Sequence, residues 1–220
     1  AHYFLMGTKS SLVLEQALQR LPFNVIIRSY LAAVRFSNQD YDRAEQLDSI
    51  NYAYILHHRS DDFVDALRGA AYRVAEHVSE RTIDAATCFY RALQRCKLLN
   101  AIIPNSKEAA LLGTAYLQFA PYANDFYAAE NEARQRAGQQ TEDFTTALVD
   151  SALTQFLFND TIDIVDASAY FFSQWNHFDS RVQKIAEECF IYYTYKYPLM
   201  FKWFLLEGFV LQELHNYTQA

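Results

Sequence analysis

Apolar residues in this chain recur at the spacing of a helix face. Phe63, Ala66, Leu67, Ala70 and Val74 fall at i, i+3, i+4, i+7 and i+11, the stripe that one side of an α-helix turns toward a core. Ile162, Val165, Ala169 and Phe172 repeat it, as do Val182, Ile185, Cys189 and Tyr192. No segment of comparable length alternates with period two. Turn residues are scarce in the same sense: 5 Gly and 4 Pro in 220 residues are too few for the tight turns of an all-β chain. The expected fold class is all-α, with antiparallel helical hairpins stacked as a short repeat array or an irregular bundle.

Start and stop signals divide the stripes. Asp40, Ser79, Ser106, Thr141, Asp160 and Asp179 can each cap a helix, because a short side-chain oxygen accepts from orphan backbone N–H groups. Pro22, Pro121 and Pro198 suit first-turn positions, where a missing N–H costs nothing. Pro104 breaks the chain before Ser106, and Gly138 ends a polar helix at Arg134-Gln135-Arg136. Helices are therefore expected at roughly 11–23, 22–37, 40–58, 62–78, 80–102, 106–120, 121–136, 142–158, 160–175, 180–197 and 198–216, joined by short connections. The caps at Asp40, Ser79, Thr141 and Asp179 lie 39, 62 and 38 residues apart. This spacing predicts hairpins repeating at about 38 residues. The chain reads as one helical domain spanning 1–220, with a helix inserted at about 121–140.

Net charge is −7, and an acidic surface repels phosphate backbones, so nucleic acid is an unlikely partner. The three cysteines, Cys88, Cys96 and Cys189, form no CxxC pair. They predict small core residues and free thiols in an intracellular, reducing compartment. The longest apolar run, Pro198 to Leu214, is interrupted by Lys202, Glu207 and Glu213, so no transmembrane segment is expected. The chain opens on Ala1, which fits either a removed initiator or a cleaved targeting segment.

The segment Thr145 to Trp175 resembles a pentatricopeptide-type hairpin. A first helix begins near Thr145 with Leu148 and Val149, and a polar turn follows at Asn159-Asp160. A second helix then carries Ala167 and Ala169 ahead of Phe171 and Phe172. Ile50 to Val78 is similar in outline, with Asp65-Ala66-Leu67 in its second helix. The inferred period is longer than that family's, and its RNA-reading residues are not carried over. The resemblance implies a protein-binding scaffold of stacked hairpins, of the kind found in mitochondrial assemblies. The N-terminal run Tyr3 to Leu12 resembles the end of the recognition helix in TetR-type repressors. That alternative implies a ligand-binding and dimerisation domain.

The sharpest enzymatic signal is DDxxD at Asp61, Asp62 and Asp65. It resembles the magnesium motif of isoprenoid synthases, where carboxylates hold a hard cation on a diphosphate. Asn124, Asp125 and Glu132 resemble the second metal motif of terpene synthases, although Ala128 stands where a hydroxyl is expected. Asp61 and Asp62 equally suit a helix N-terminus, which favours acidic residues without a metal. The histidines include the adjacent pair His57 and His58, whose directions differ by about 100° on a helix, one outward and one partly buried. No His pair has metal-ligand spacing. The expected chain is thus a non-catalytic subunit with no catalytic residue, metal or cofactor, whose partners are other protein subunits. The richest aromatic stretch, Tyr192 to Leu206, supplies the expected contact residues Tyr195, Tyr197, Phe201, Trp203 and Phe204, because large aromatics anchor interfaces.

Overall fold

The computed structural model describes residues 8–157 and 175–200, together with 204, 205 and 208. Among the described residues there are nine α-helices and three short 3-10 turns, with no strand. The chain gathers into two compact units, residues 1–104 and 105–220. The division falls at Pro104, whose ring restricts the backbone before it.

The first unit holds α1 (Thr8–Arg20), α2 (Val25–Ser37), α3 (Tyr41–His57), α4 (Val64–Ala75) and α5 (Ala85–Ile102). Consecutive helices pack on one another as stacked hairpins. Their ends are set by local chemistry. Asn24 Oδ1 accepts from the Ile27 N–H at 2.9 Å and starts α2. Pro22 lies in the turn before it, not in the first helical turn. Asp84 Oδ1 accepts from the Thr87 N–H at 2.9 Å and starts α5. Ser79, the expected cap there, sits in a 3-10 turn at Val78–Glu80. Asp40 occupies the start of α3 without a side-chain cap bond; its carboxylate faces Arg35 instead. Apolar patches of its core include one of Leu31, Ala32 and Leu47 and another of Val74, Cys88 and Ala92.

The second unit holds α6 (Ser106–Phe126), α7 (Ala128–Arg136), α8 (Phe144–Leu157) and α9 (Ser180–Lys196). Asn105, rather than Ser106, caps α6 by accepting from the Glu108 N–H at 3.0 Å. Pro121 does not open a new helix, as expected, but lies inside α6. An interior proline removes one backbone bond and costs about 3 kcal/mol. Burial of Leu117, Phe119, Ala120 and Ala123 on either side outweighs that cost and carries the helix through to Phe126. The inserted polar helix is therefore α7 alone, shorter than the expected 121–140. It buries no residue and is laced by Glu130–Arg134 and Glu132–Arg136 pairs at i,i+4. It ends at Gly138, whose φ of 71° lets the Gln139 N–H close on the Arg134 carbonyl at 2.9 Å.

Asp143 opens α8 in place of Thr141. Its carboxylate takes the Thr146 hydroxyl at 2.7 Å and the Asn124 amide at 2.9 Å. Asp179 caps α9 as expected, accepting from the Arg181 N–H at 2.8 Å. With helix starts at Asp84 and Asp143, the even spacing of about 38 residues does not hold along the chain. A broad cluster of this unit runs from Ala109 and Leu117 through Val149 and Leu153 to Trp175, Phe178, Phe190 and Tyr193.

Candidate functional site

The first unit buries charge. Five polar residues of α2 and α3 and their partners lie inside it: Arg28, Glu45, Asp48, Asn51 and Arg95 are each at most 5% exposed. On α3 the positions 41, 44, 48, 51 and 55 form one inward stripe at spacings of three and four, and Asp48 and Asn51 stand in it among Tyr41, Ala44 and Ile55. Asp48 receives a two-pronged bond from Arg73 of α4, Nε to Oδ2 at 2.8 Å and Nη2 to Oδ1 at 2.7 Å. Glu45 receives Arg95 of α5 on both oxygens at 2.8 Å. Arg91 at 2.9 Å and the Ser49 hydroxyl at 2.8 Å also donate to it. Arg95 reaches further, to the Ala70 carbonyl at 3.0 Å. Arg28 donates to Asn51 at 2.8 Å, and Asn51 returns to the Val25 carbonyl at 3.1 Å.

The electrostatics of the two carboxylates differ. Burial alone raises Glu45, but the bonds and charge of Arg95, with Ser49 and Arg91, more than offset it and hold the carboxyl below its ordinary value. At Asp48 burial prevails over Arg73 and pushes the carboxyl up. Both groups have their oxygens taken by guanidinium donors, so this cluster ties helices together and presents no open base or metal ligand. Gly69 makes room for it: a Cβ there would meet Arg73 Nη1 at 2.9 Å. Over the outer edge of the cluster lies a surface cavity of about 530 Å³, walled by Asp42, Gln46, Ser49, Thr82 and Arg91 with Glu45 at its floor. Ile50 and Ile83 also line it, and the larger part of its wall is apolar.

In the second unit the feature that stands out is the outer face of α9. Of α9, Val182, Ala186, Phe190, Tyr193 and Thr194 are buried, while Ile191, Tyr192 and Tyr195 of its outer face are exposed, Tyr195 to 88%. Leu199, in the turn that follows, is 98% exposed, and Phe204 and Leu205 are exposed beyond it. Inside, the Tyr193 hydroxyl donates to Asp150. Burial first, and the Asp150 carboxylate second, push the Tyr193 phenol up. Burial likewise lifts the Cys189 thiol to about 11, with help from Asp150 and Glu188, which disfavours the thiolate form.

Of the expected contact residues, Tyr195 and Phe204 are exposed. Tyr197 turns back against the core, its ring stacked 6.1 Å from Tyr193. Phe201 and Trp203 lie outside the described residues, as do the second helix of the pentatricopeptide-like segment and the run Tyr3 to Gly7. The helix bearing Tyr192 and Tyr195 is not apolar on every side, because Lys196 lies over the Tyr192 and Tyr197 rings at 5.1 and 5.4 Å.

The acidic motif is accounted for locally. Asp61 and Asp62 are exposed in a 3-10 turn where Ser60 accepts from the Asp62 N–H, and Asp65 pairs with Arg68 at 2.7 Å. Asp125 is exposed near the end of α6. Among the described residues no group of three or more His, Cys, Asp or Glu side chains could hold a metal ion. His57 and His58 are both exposed, correcting the expectation that one is partly buried; the His58 ring stacks on Tyr54 at 4.2 Å. Cys88 and Cys96 are buried and Cys189 is half-buried, all as free thiols. No described helix is long and apolar enough to cross a membrane.

The buried cluster went unread in the sequence, although the α3 stripe could have announced it. A carboxylate and an amide flanked at helical spacing by Tyr41, Ala44 and Ile55 are either paired inside or misplaced.

Fold and site together define an all-α bundle of stacked helical hairpins, tied by buried charge in one unit and carrying an exposed aromatic helix face in the other. Compared with known proteins, the chain matches no family model, no curated protein and no solved structure.

Proposed function

We propose that this chain is a non-catalytic helical-hairpin scaffold, an accessory subunit that enters a larger protein assembly through the outer face of α9. The observation that carries this reading is the exposure of Tyr195 and Leu199 beside Ile191 and Tyr192. Large apolar side chains grouped on one exposed face mark interaction surfaces, and tyrosine is favoured at interface centres. The carboxylates of the charged cluster are consumed by their own arginines, which suits a framework better than a reaction site. The pentatricopeptide-like outline of Thr145 to Trp175 and the three free thiols go with an intracellular, mitochondrial setting.

The test is Tyr195→Asp with Leu199→Asp in the full chain, checked for retained helicity by circular dichroism. The folded variant is expected to leave its native complex when cell extracts are sized, and unchanged complex size would sink the proposal. Calorimetry offers an independent test. Tight Mg²⁺-dependent binding of a prenyl diphosphate, lost on Asp61→Ala, would replace the scaffold with the synthase alternative.

A further inference from the structure

The outer face of α9 is graded along its axis. Arg181, Lys184 and Glu188 occupy its first half, Ile191, Tyr192 and Tyr195 its second, and Lys196 stands at the rim. Glu188, Tyr192 and Tyr195 share one stripe at spacings of four and three, on the side away from the buried Val182, Ala186 and Phe190. We propose that a second copy of this chain occupies the face, the two α9 helices crossing antiparallel about a two-fold axis between Tyr192 and Tyr195. This rests on α9 being a docking face and names its occupant.

Charge and area select that occupant. In an antiparallel pair, Tyr192 of each copy packs on Tyr195 of the other. Glu188 of each copy then lies level with Leu199 of the other, just past the end of its helix, and Lys196, three residues back, can reach it. Both partners in that ion pair are exposed and lie on the same helix of the same chain, so one sequence supplies both halves of a self-complementary contact. A parallel pair would set Glu188 against Glu188 and Lys196 against Lys196, and like charges across an interface repel. Lys196 already rests on the Tyr192 ring, so the contact brings its cation to the edge of the aromatic patch. Ile191, Tyr192, Tyr195 and Leu199 are exposed to different extents, and if all four were covered completely the two copies would bury at most about 1,200 Å², the lower limit of a specific interface. The dimer is therefore reversible and concentration-dependent.

Sedimentation equilibrium of the full chain tests this, with circular dichroism confirming that each variant is folded. The native chain is expected to show a monomer–dimer equilibrium. Glu188→Lys and Lys196→Glu are each expected to weaken the dimer about tenfold, since each reverses two symmetry-related contacts. The double exchange is expected to return the constant to within about threefold of native. A native chain that stays monomeric at every concentration overturns the proposal and leaves docking on a different subunit untouched. A native dimer that the double exchange fails to restore also overturns it, because its contact then lies elsewhere.

Discussion

In the first unit the deepest side chains include Arg95 and Asp48; in the second they include Phe119, Phe190 and Leu153. Guanidinium–carboxylate bonds are directional, and a two-pronged pair accepts one geometry. In the first unit they therefore fix how α3, α4 and α5 sit against one another. The second unit has a broad apolar cluster that joins α6, α8 and α9. Such cores tolerate exchange of similar volumes but carry no limit on how far the apolar pattern spreads. In α9 it spreads onto the outer face. The first unit pairs charges in its interior, and in the second the outer face of α9 leaves large rings exposed.

The strongest way to break this comparison is Arg95→Met. It strands Glu45 without its two principal bonds, and removing one partner of a buried pair costs about 3–5 kcal/mol. Native-state hydrogen exchange should lose protection across α3 to α5 and keep it in α6 and α8. Equal losses in both units would erase the distinction drawn here. Phe190→Ala comes next, at about 3–4 kcal/mol from lost burial and the cavity left behind. Its protection loss should be confined to α6, α8 and α9, with urea unfolding giving the magnitude.

Asp143→Ala is expected to cost about 1 kcal/mol near neutral pH, the usual worth of a helix cap. The Asn124 amide, then the Thr146 hydroxyl, hold the Asp143 carboxyl below its ordinary value. A carboxylate lowered in the folded state contributes stability that is complete above its unfolded pKa and disappears as pH falls through the folded one. The gap between native and variant should close on acidification below the ordinary aspartate value, and a gap independent of pH would show that the cap's charge is irrelevant. The smallest effect belongs to Gly69→Ala. Alanine gains about 0.5–1 kcal/mol in a helix, but here it displaces Arg73 from Asp48, so the net change should be near zero or a loss. In an Arg73→Met background the same substitution should stabilise, and thermal unfolding of the four variants sharpens the role assigned to that glycine.

Among the described residues, helix existence was legible where one apolar stripe dominated; the stripe of Ile162, Val165, Ala169 and Phe172 lies outside them. Ala66, Leu67, Ala70 and Val74 are all buried. Within α9, Val182, Ile185 and Cys189 pack against the core as expected, but its deepest residues are Ala186, Phe190 and Tyr193, and Tyr192 lies outside. Adjacent aromatics such as Tyr192 and Tyr193 satisfy two faces equally, and only packing chooses between them. Helix starts were displaced where two capping residues compete nearby, as with Ser79 and Asp84 or Thr141 and Asp143. Pro121 was misjudged because local cost says nothing of the burial around it. The charged cluster was invisible for a different reason. Glu45 and Arg95 are 50 residues apart, and a lone charge on a helix reads as a solvated face until its partner is known.

Arg95 bonds Glu45 and Ser49 of α3 and the Ala70 carbonyl of α4 from its place on α5. Its guanidinium exchanges water for these acceptors only when three separate helices have closed around it. Contacts of such sequence separation are made after loop closure has been met by other interactions. The arginine is thus a latch that shuts late on the folding path, and it acts chiefly on how slowly the finished unit comes apart.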